Sequence, residues 1–252
     1  VETEKVFMAN RPDVVVVVGD VNSTVATALT AKKMCIPVVH VEAGLRSFDP
    51  GMPEEINRIV TDAISDLLYV SEPSGLTHLK NEGVPDHKVI FAGNVMIDSL
   101  RRFEEKARAT QYSESVGLDT GKYFLITAHR PAMVDDDTQL SVFAHALLGL
   151  ADMGEVVFPI HPRTSKRLEA IGLASTLAAQ PRIRMTEPIG YLEFMNLMMH
   201  AGLIVTDSGG VQEESTALSV PCATVRPNTE RPATIDEGTN ELMNLDVGEI
   251  VA

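Results

Sequence analysis

Residues 203–232 read LIVTDSGGVQEESTALSVPCATVRPNTERP, and this stretch decides the fold around it. It begins with a β-branched apolar run, passes the pair Gly209 and Gly210, and continues as a helix-like segment. This order predicts a strand, a glycine turn and a helix whose N–H groups and dipole favour an anion such as a phosphate. An ordinary βα turn is the structural alternative. The crowding of polar side chains at the turn favours a binding site, because a packing turn does not need them.

Apolar runs alternate with helical segments through the rest of the chain. Residues 14–18 are five consecutive valines, the pattern of a parallel strand buried on both faces. Further strands are predicted at residues 36–41, 67–70, 89–91, 123–128, 156–160, 183–185, 203–205 and 223–225. This βαβα order predicts an α/β fold with parallel, doubly wound sheets, which bind ligands at the carboxyl ends of their strands.

A long charged helix over residues 96–108, followed by a polar stretch to residue 122, separates two series of strands. We therefore expect two Rossmann-like domains that face a cleft. The first covers residues 1–96, and the second covers residues 97–252 and includes the linker helix.

Composition excludes several classes of partner. The chain has 252 residues, of which 44% are hydrophobic, and a formal net charge of −14, so it can bury a sizeable core but does not suit nucleic acid or an anionic membrane. With no signal peptide and no apolar run of membrane-spanning length, the expected location is the cytoplasm. Cys35 and Cys222 are expected to be small core residues, with no disulfide framework and no metal cluster.

Carboxylates follow two strands of the first half and open one of its helices. Asp20 follows the valine run, where it serves either a site or the cap of the next helix, to which residues 22–24 also contribute. Glu42 ends the next strand with no helix to cap immediately, which favours a functional role. Glu54 and Glu55 follow a proline that starts a helix, so a favourable interaction with the helix dipole is the structural alternative for both. Composition leaves open whether either serves a site, and Glu55 is the alternative to Glu54 as the working residue.

Histidines end two strands of the second half. His129, followed by Arg130, suits a phosphate or a leaving group. His161 repeats this position one unit later and is explained equally well as a structural residue. Residues 191–200 carry methionines at helical spacing and are expected to be mainly core.

Two motifs that suggest other chemistry are incomplete. Residues 117–122 imitate a phosphate-binding P-loop, but the glycines are too close together and Tyr123 stands where serine or threonine belongs. Asp135, Asp136 and Asp137 precede a helix and are more typical of a solvated cap than of a metal site. No G-x-G-x-x-G occurs, so no nicotinamide cofactor is expected. No metal is expected either, because the aspartate run is more typical of a cap.

Four segments together resemble the signatures of the non-hydrolysing UDP-N-acetylglucosamine 2-epimerases. They are Val-Glu-Ala-Gly-Leu-Arg (41–46), Pro-Glu-Glu-Ile-Asn-Arg (53–58), Asp-Ser-Gly-Gly-Val-Gln-Glu-Glu (207–214) and Asn-Thr-Glu-Arg-Pro (228–232). The chain departs from the family at residues 131–133, where Pro-Ala-Met replaces a polar loop that usually contains Glu-Asn. The family's opening Gly-Thr-Arg-Pro-Glu segment and its closing helix are also absent, and we expect both to belong to a longer parent.

This resemblance implies a glycosyltransferase-B-like pair of domains and a reversible epimerisation at C2 of UDP-N-acetylglucosamine. The reaction gives UDP-N-acetylmannosamine by elimination and re-addition of UDP, within cell-surface polysaccharide biosynthesis. The expected partner is the UDP-sugar, with no cofactor, no nucleic acid and no membrane, and the expected assembly is a homodimer.

The resemblance also implies roles for individual residues. Asp20, Glu42 and Glu54 match the carboxylates that handle the sugar, and His129 holds the departing diphosphate. The implied substrate-binding residues are Arg130, His161, Ile189, Phe194, Ser208, Gly209, Gly210, Glu214 and Arg231. Among these, Ile189 and Phe194 lie beside the uracil, Glu214 accepts from the ribose hydroxyls and Arg231 neutralises phosphate.

From the residues alone, other functions stay open. A retaining glycosyltransferase and a hydrolysing epimerase that releases free sugar are rivals in the same broad class. A nucleotide-sugar-binding module without catalysis is a rival of a different class.

Overall fold

The computed structural model describes residues 2–244, 248 and 250. The chain forms two compact units, of which the first comprises Val1–Val95 with Glu230–Ala233 and the second comprises Met96–Thr229 with Thr234–Ala252. Each unit contains one parallel sheet, so the predicted α/β class is confirmed. The boundary predicted from the sequence, after residue 96, assigns residues 230–233 to the second domain, whereas in the structure these four residues pack with the first unit.

The first unit has four parallel strands in the order β1-β2-β3-β4. The strands are β1 (Val15–Val18), β2 (Val38–Ala43), β3 (Leu67–Val70) and β4 (Val89–Phe91). The helices are α1 (Glu2–Ala9), α2 (Asn22–Lys33), α3 (Pro53–Ile64) and α4 (Pro73–Asn81). Parallel order places the carboxyl ends of all four strands at one edge of the sheet.

Strand β1 forms where the valine run predicts it, but the expected burial on both faces is wrong. Val15 and Val17 are buried, whereas Val16 and Val18 are 58% and 53% exposed. The reason is position, because β1 is an edge strand that pairs only with β2 and the described part of the chain leaves its second face uncovered.

Two local expectations in this unit are also wrong. Helix α2 has Val21 as its N-cap and no side-chain cap, because the Asn22 Oδ1 atom accepts instead from the Asn57 side chain at 3.0 Å. Cys35 is exposed, with a φ of 56°, because it lies in the turn between α2 and β2 and not in the core.

The second unit has a six-stranded parallel sheet in the order β10-β9-β8-β5-β6-β7. The strands are β5 (Tyr123–Thr127), β6 (Glu155–Pro159), β7 (Ile183–Thr186), β8 (Leu203–Thr206), β9 (Cys222–Val225) and β10 (Asn240–Met243). The helices from residue 95 onward are α5 (Val95–Thr110), α6 (Tyr112–Ser115), α7 (Pro131–Val134), α8 (Asp137–Met153), α9 (Pro162–Ala170), α10 (Ala174–Ala179), α11 (Tyr191–His200), α12 (Gly209–Leu218) and α13 (Ala233–Asp236). This strand order is that of the doubly wound Rossmann fold, and its winding reverses between β5 and β8.

The central strands of this sheet are buried on both faces. Leu125 and Ile204 pack into one hydrophobic cluster, while their chain neighbours Ile126 and Val205 pack into a second cluster on the opposite face. Cys222 lies in the first of these clusters, and burial raises the pKa of its thiol to about 11. Within the described ranges, none of the helices combines the length and the hydrophobicity that a membrane crossing requires.

Candidate functional site

The winding reversal of the second sheet brings together two strand ends that the sequence analysis singled out. His129 follows β5 and Ser208 follows β8, which is where doubly wound sheets bind their ligands. Asp207 connects the two ends, since its Oδ2 atom accepts from the backbone N–H groups of His129 at 2.8 Å and of Arg130 at 2.7 Å. The His129 ring also contacts this carboxylate, with Nδ1 3.3 Å from Oδ1. Asp207 is thus a residue of the site to which sequence reasoning assigned no role, although its place between a buried strand and a glycine pair was the available signal.

The start of helix α12 offers donors to an anion. Ser208 is the N-cap and makes no side-chain cap, so N–H groups of the first turn keep no partner within the helix. The N–H of Ser208 itself is already used, because it donates to the Thr206 hydroxyl at 3.0 Å. The Ser208 hydroxyl and the N–H groups that follow, including those of Gly209 and Gly210, are therefore the donors available for a phosphate.

Of the glycine pair, Gly210 is closely packed, and neither residue has an unusual backbone conformation. Neither Gly209 nor Gly210 has a left-handed φ. A Cβ atom added at Gly210 would lie 2.9 Å from the Met96 Cε atom and 4.0 Å from the Ser208 hydroxyl. A larger residue at Gly210 would therefore compete for space at the helix start.

A cavity of about 180 Å³ lies at the carboxyl ends of β5, β6 and β7. Four of the residues expected to bind substrate line it, namely His129, His161, Ile189 and Phe194. The two histidine rings lie 6.3 Å apart, and His161 Nδ1 also accepts from the backbone N–H of Arg163 at 3.2 Å. The cavity is smaller than the roughly 300–1,000 Å³ of a site for a whole drug-sized ligand, so its size suits a single ring.

Glu214 lies one turn into α12 and is paired with a tyrosine. The Tyr191 hydroxyl donates to its Oε1 atom at 2.9 Å, and the Tyr191 ring packs edge-on against Phe103. Burial raises the pKa of Glu214, and the bond from Tyr191 opposes this rise. The same burial, with the nearby Glu214 charge, raises the pKa of Tyr191, so the phenol stays a donor.

In the first unit, Asp20 forms an ion pair and does not cap a helix. Its carboxylate accepts from Arg58, while its backbone oxygen accepts from the Asn57 side chain at 2.8 Å. Arg58 also lies 3.5 Å from Glu230. The capping role that the sequence left open is wrong, because Val21 is the N-cap of α2 and Asp20 reaches across to α3 instead.

Glu42 has an unusual backbone conformation at the end of β2. Its φ is 70°, and the pairing of β2 with β3 shifts register at this residue. Its Oε1 atom lies 2.5 Å from Arg231 Nη2, and its Oε2 atom lies 3.4 Å from where a Cβ of Gly19 would stand. Non-glycine residues with positive φ are uncommon and cluster at functional sites.

The structure distinguishes the two glutamates at the start of α3. Glu55 is 3% exposed, and its carboxylate accepts from Ser47 and from the Phe48 backbone. Glu54 is only half-buried, and its side chain makes no hydrogen bond or ion pair with the described residues. Glu55 therefore has a structural role in holding the loop after β2, whereas Glu54 remains available.

Arg231 lies in the first unit, which corrects its assignment to the UDP-binding half. Its ion pair with Glu42, and the bond from Ala233 N to Glu72 at 2.8 Å, attach this short segment to the first unit. Burial raises the pKa of Glu72, and that bond opposes the rise.

The aspartate run before α8 acts as the sequence predicts. Asp136 is the N-cap of α8, and its side chain accepts from the Thr138 and Gln139 N–H groups. Asp135 pairs with Arg163, and Asp137 pairs with Arg167. Across the residues that the structure describes, no group of three or more histidine, cysteine or acidic side chains is arranged to hold a metal ion.

Comparison with known proteins identifies one family. The family model for UDP-N-acetylglucosamine 2-epimerase matches residues 1–252. The UDP-N-acetylglucosamine 2-epimerase of Methanocaldococcus jannaschii is 44% identical over 249 residues, which are 96% of this chain and 68% of that protein. The enzyme of the same name from Methanococcus maripaludis is 41% identical, over 99% of this chain and 70% of that protein.

A solved structure agrees with these relatives. The crystal structure of the Methanocaldococcus jannaschii UDP-GlcNAc 2-epimerase with UDP-GlcNAc and UDP superimposes with a TM-score of 0.93 at 42% identity. The match covers 99% of this chain and 70% of that one.

Proposed function

Because the chain belongs to the UDP-N-acetylglucosamine 2-epimerase family, we propose that the protein interconverts UDP-N-acetylglucosamine and UDP-N-acetylmannosamine. The observation that carries this proposal is the cavity of the second unit. It gathers His129, His161, Ile189 and Phe194 at the carboxyl ends of β5, β6 and β7, next to the winding reversal at which His129 and Ser208 end neighbouring strands.

The chemistry of the substrate limits the mechanism. The proton on C2 is not next to a carbonyl group, so simple enolisation does not apply. In an elimination, the C1–O bond breaks with its electron pair going to UDP, a base takes the C2 proton, and the C2–H electrons form a C1=C2 double bond. UDP then adds back to C1 after a proton reaches the other face of C2.

In this proposal the second unit holds the nucleotide. The uracil occupies the cavity beside Ile189 and Phe194, and Glu214 accepts hydrogen bonds from the ribose hydroxyls. The diphosphate accepts from the start of α12, a position that suits phosphate because the N–H groups and the helix dipole act together. His129 and Arg130 supply further donors as charge develops on the departing UDP.

The first unit supplies carboxylates for the sugar. Asp20 follows β1 and Glu42 lies at the end of the neighbouring strand β2, and each is oriented by an arginine, Arg58 and Arg231 respectively. Carboxylates stabilise the positive charge that develops on the ring as UDP leaves, and they transfer protons at C2. Glu54 is the third of these carboxylates, and with His129 they make up the proposed catalytic residues.

Two finer points follow from the family. We propose that the reaction takes place in the cytoplasm and supplies cell-surface polysaccharide biosynthesis, and that the protein acts as a homodimer.

Product analysis tests this proposal. We expect the complete protein, incubated with UDP-N-acetylglucosamine, to form UDP-N-acetylmannosamine, and we expect deuterium at C2 of both sugars when the solvent is D₂O. Free sugar together with UDP would identify a hydrolysing epimerase instead. Binding of the substrate without any new product would identify a binding module.

A further inference from the structure

A buried polar network lies in the first unit beneath the ends of β1 and β2. His40, on β2, has no exposed surface, and Asp62, on α3, and Arg46, in the loop after β2, are each 2% exposed. The proposed reaction uses none of these three side chains. Burying ionisable groups is unfavourable unless each is paired, so their contacts indicate what they do.

Asp62 collects donors from three places. Its Oδ1 atom lies 2.6 Å from His40 Nδ1, and its Oδ2 atom accepts from the Gly44 backbone N–H at 3.0 Å and from Arg46 Nη2 at 2.8 Å. The other ring nitrogen of His40 lies 2.9 Å from the Gly19 carbonyl oxygen. A carbonyl oxygen only accepts, so the ring nitrogen of His40 that faces Gly19 donates to it, while the other ring nitrogen contacts Asp62.

This network holds the backbone on both sides of the proposed catalytic carboxylates. Gly19, whose carbonyl accepts from His40, directly precedes Asp20, and Gly44, whose N–H donates to Asp62, follows Glu42 by two residues. Gly19, Glu42 and Gly44 all have left-handed φ values, of 67°, 70° and 81°. Such a conformation persists at a glutamate only when its surroundings enforce it.

We infer that His40 and Asp62 are positioning residues for the epimerisation, since they tie the strand ends that carry Asp20 and Glu42 into one rigid geometry. This inference rests on the proposed function. Position matters for proton transfer because a misplacement of about 1 Å in a reacting group reduces rates by about 10²-fold.

Substitution in the complete protein tests the inference, with a control on the same strand. Asp66 also accepts a backbone N–H of β2, from Val38 at 2.8 Å, and also pairs with a cation, Lys32, but at the opposite end of the strand. We expect Asp62→Asn and His40→Gln to lower kcat for UDP-N-acetylglucosamine by about 10–100-fold, in line with such a misplacement. The KM and the UDP dissociation constant should change by less than about threefold, because the nucleotide contacts are untouched. We expect Asp66→Asn to keep kcat within about twofold.

A measurement on the unmodified protein keeps the inference testable if the variants do not fold. In ¹⁵N-histidine-labelled protein, we expect a proton on Nε2 of His40, the ring nitrogen that faces the Gly19 carbonyl oxygen. A ring that carries no proton on Nε2 overturns the network. Unchanged kcat in folded Asp62→Asn and His40→Gln, or an equal loss in Asp66→Asn, overturns the positioning role alone. Absence of epimerisation by the unmodified protein overturns the proposed function and this inference with it.

Discussion

The two adjacent glutamates at the start of α3 have different expected roles, Glu54 in catalysis and Glu55 in stability. Exchanging each for glutamine should therefore affect different properties of the protein. Glu55 is 3% exposed, and its Oε2 atom accepts from Ser47 N at 2.8 Å and from Ser47 Oγ at 3.0 Å, while Oε1 accepts from Phe48 N at 3.1 Å. The side chain of Glu54, the preceding residue, makes no hydrogen bond or ion pair within the described chain.

The effect of Glu55→Gln on stability follows from counting acceptors. An amide keeps one acceptor oxygen, so its NH₂ group must face either the Phe48 N–H or the two donors of Ser47. At least one buried donor therefore loses its acceptor, which costs about 1–3 kcal/mol, and the remaining bonds lose their negative partner. We expect the free energy of unfolding to fall by about 2–4 kcal/mol, which is a shift of about 1–2 M in the urea midpoint for an m-value of about 2 kcal/mol/M.

Glu54→Gln should leave stability within about 0.5 kcal/mol, because no contact of the folded chain is lost. Its turnover of UDP-N-acetylglucosamine should fall about 10²–10⁴-fold, which is the effect of removing a group that transfers a proton. The affinity for UDP should stay the same, because the proposed nucleotide contacts lie in the second unit.

Urea denaturation followed by circular dichroism measures the free energy of unfolding. Product analysis without urea, at a temperature where both variants are folded, measures the turnover. Each variant is the control for the other, since both replace one carboxylate in the same turn by its amide. The reasoning is refuted if Glu55→Gln unfolds like the unmodified protein yet loses turnover while Glu54→Gln keeps it. That result would make Glu55 the working residue.

Three further predictions concern the other carboxylates. Asp20→Asn and Glu42→Gln should each lower turnover by about 10²–10⁴-fold and slow the entry of deuterium at C2. The UDP affinity, measured by calorimetry, should stay constant, and a parallel loss of UDP binding would contradict the proposal that these carboxylates act on the sugar. Tyr191→Phe should weaken UDP binding about 3–10-fold, because Glu214 loses the hydroxyl that orients it, and an unchanged calorimetric affinity would argue against this role. Burial raises the pKa of Glu214 above its ordinary value of 4.5, so with rising pH the unfolded chain releases this proton before the folded chain does, and stability falls through that window. Glu214→Gln should therefore have the melting temperature of the unmodified protein below pH 4.5 and an increasingly higher one as the pH rises, while it binds UDP more weakly. Equal melting temperatures at neutral pH would show that burying the Glu214 carboxylate does not destabilise the fold.

The strands were largely predictable because most of them form a short apolar run, and the runs are continuous in β6, β8 and β9, which are buried on both faces. The predicted strands at residues 67–70 and 89–91 coincide with β3 and β4, and the helix from Asn22 to Lys33 has its predicted length. Strand β10 was not predicted, because its sequence, NELM, has two polar residues among four. The exposed face of β1 was missed for the opposite reason, since a run of valines shows β propensity but not whether another element covers it.

The sequence shows which polar side chains end a strand, as at His129 and His161, and the structure places both beside one cavity. Arg231 was assigned to the wrong half because sequence order gives no sign that four residues return to the first unit before the chain continues in the second. Asp207 and Asp62 received no role because their function depends on which backbone N–H groups they accept from. Such contacts join residues 78 and 18 positions apart, so no local pattern encodes them.

Glu42 shows most clearly why local sequence identifies a site but not its geometry. Its place at the end of a strand with no helix to cap favours a functional role, yet nothing in VEAGLR indicates a φ of 70° or a shift in strand register. A left-handed glutamate costs about 1–3 kcal/mol, so other contacts must stabilise it. Here they come from the Gly44 N–H bound to Asp62 and from Arg231, which lies 189 positions away along the chain. The orientation of this carboxylate is therefore a property of the folded first unit as a whole, and substitutions at Asp62 should change catalysis even though Asp62 touches no substrate.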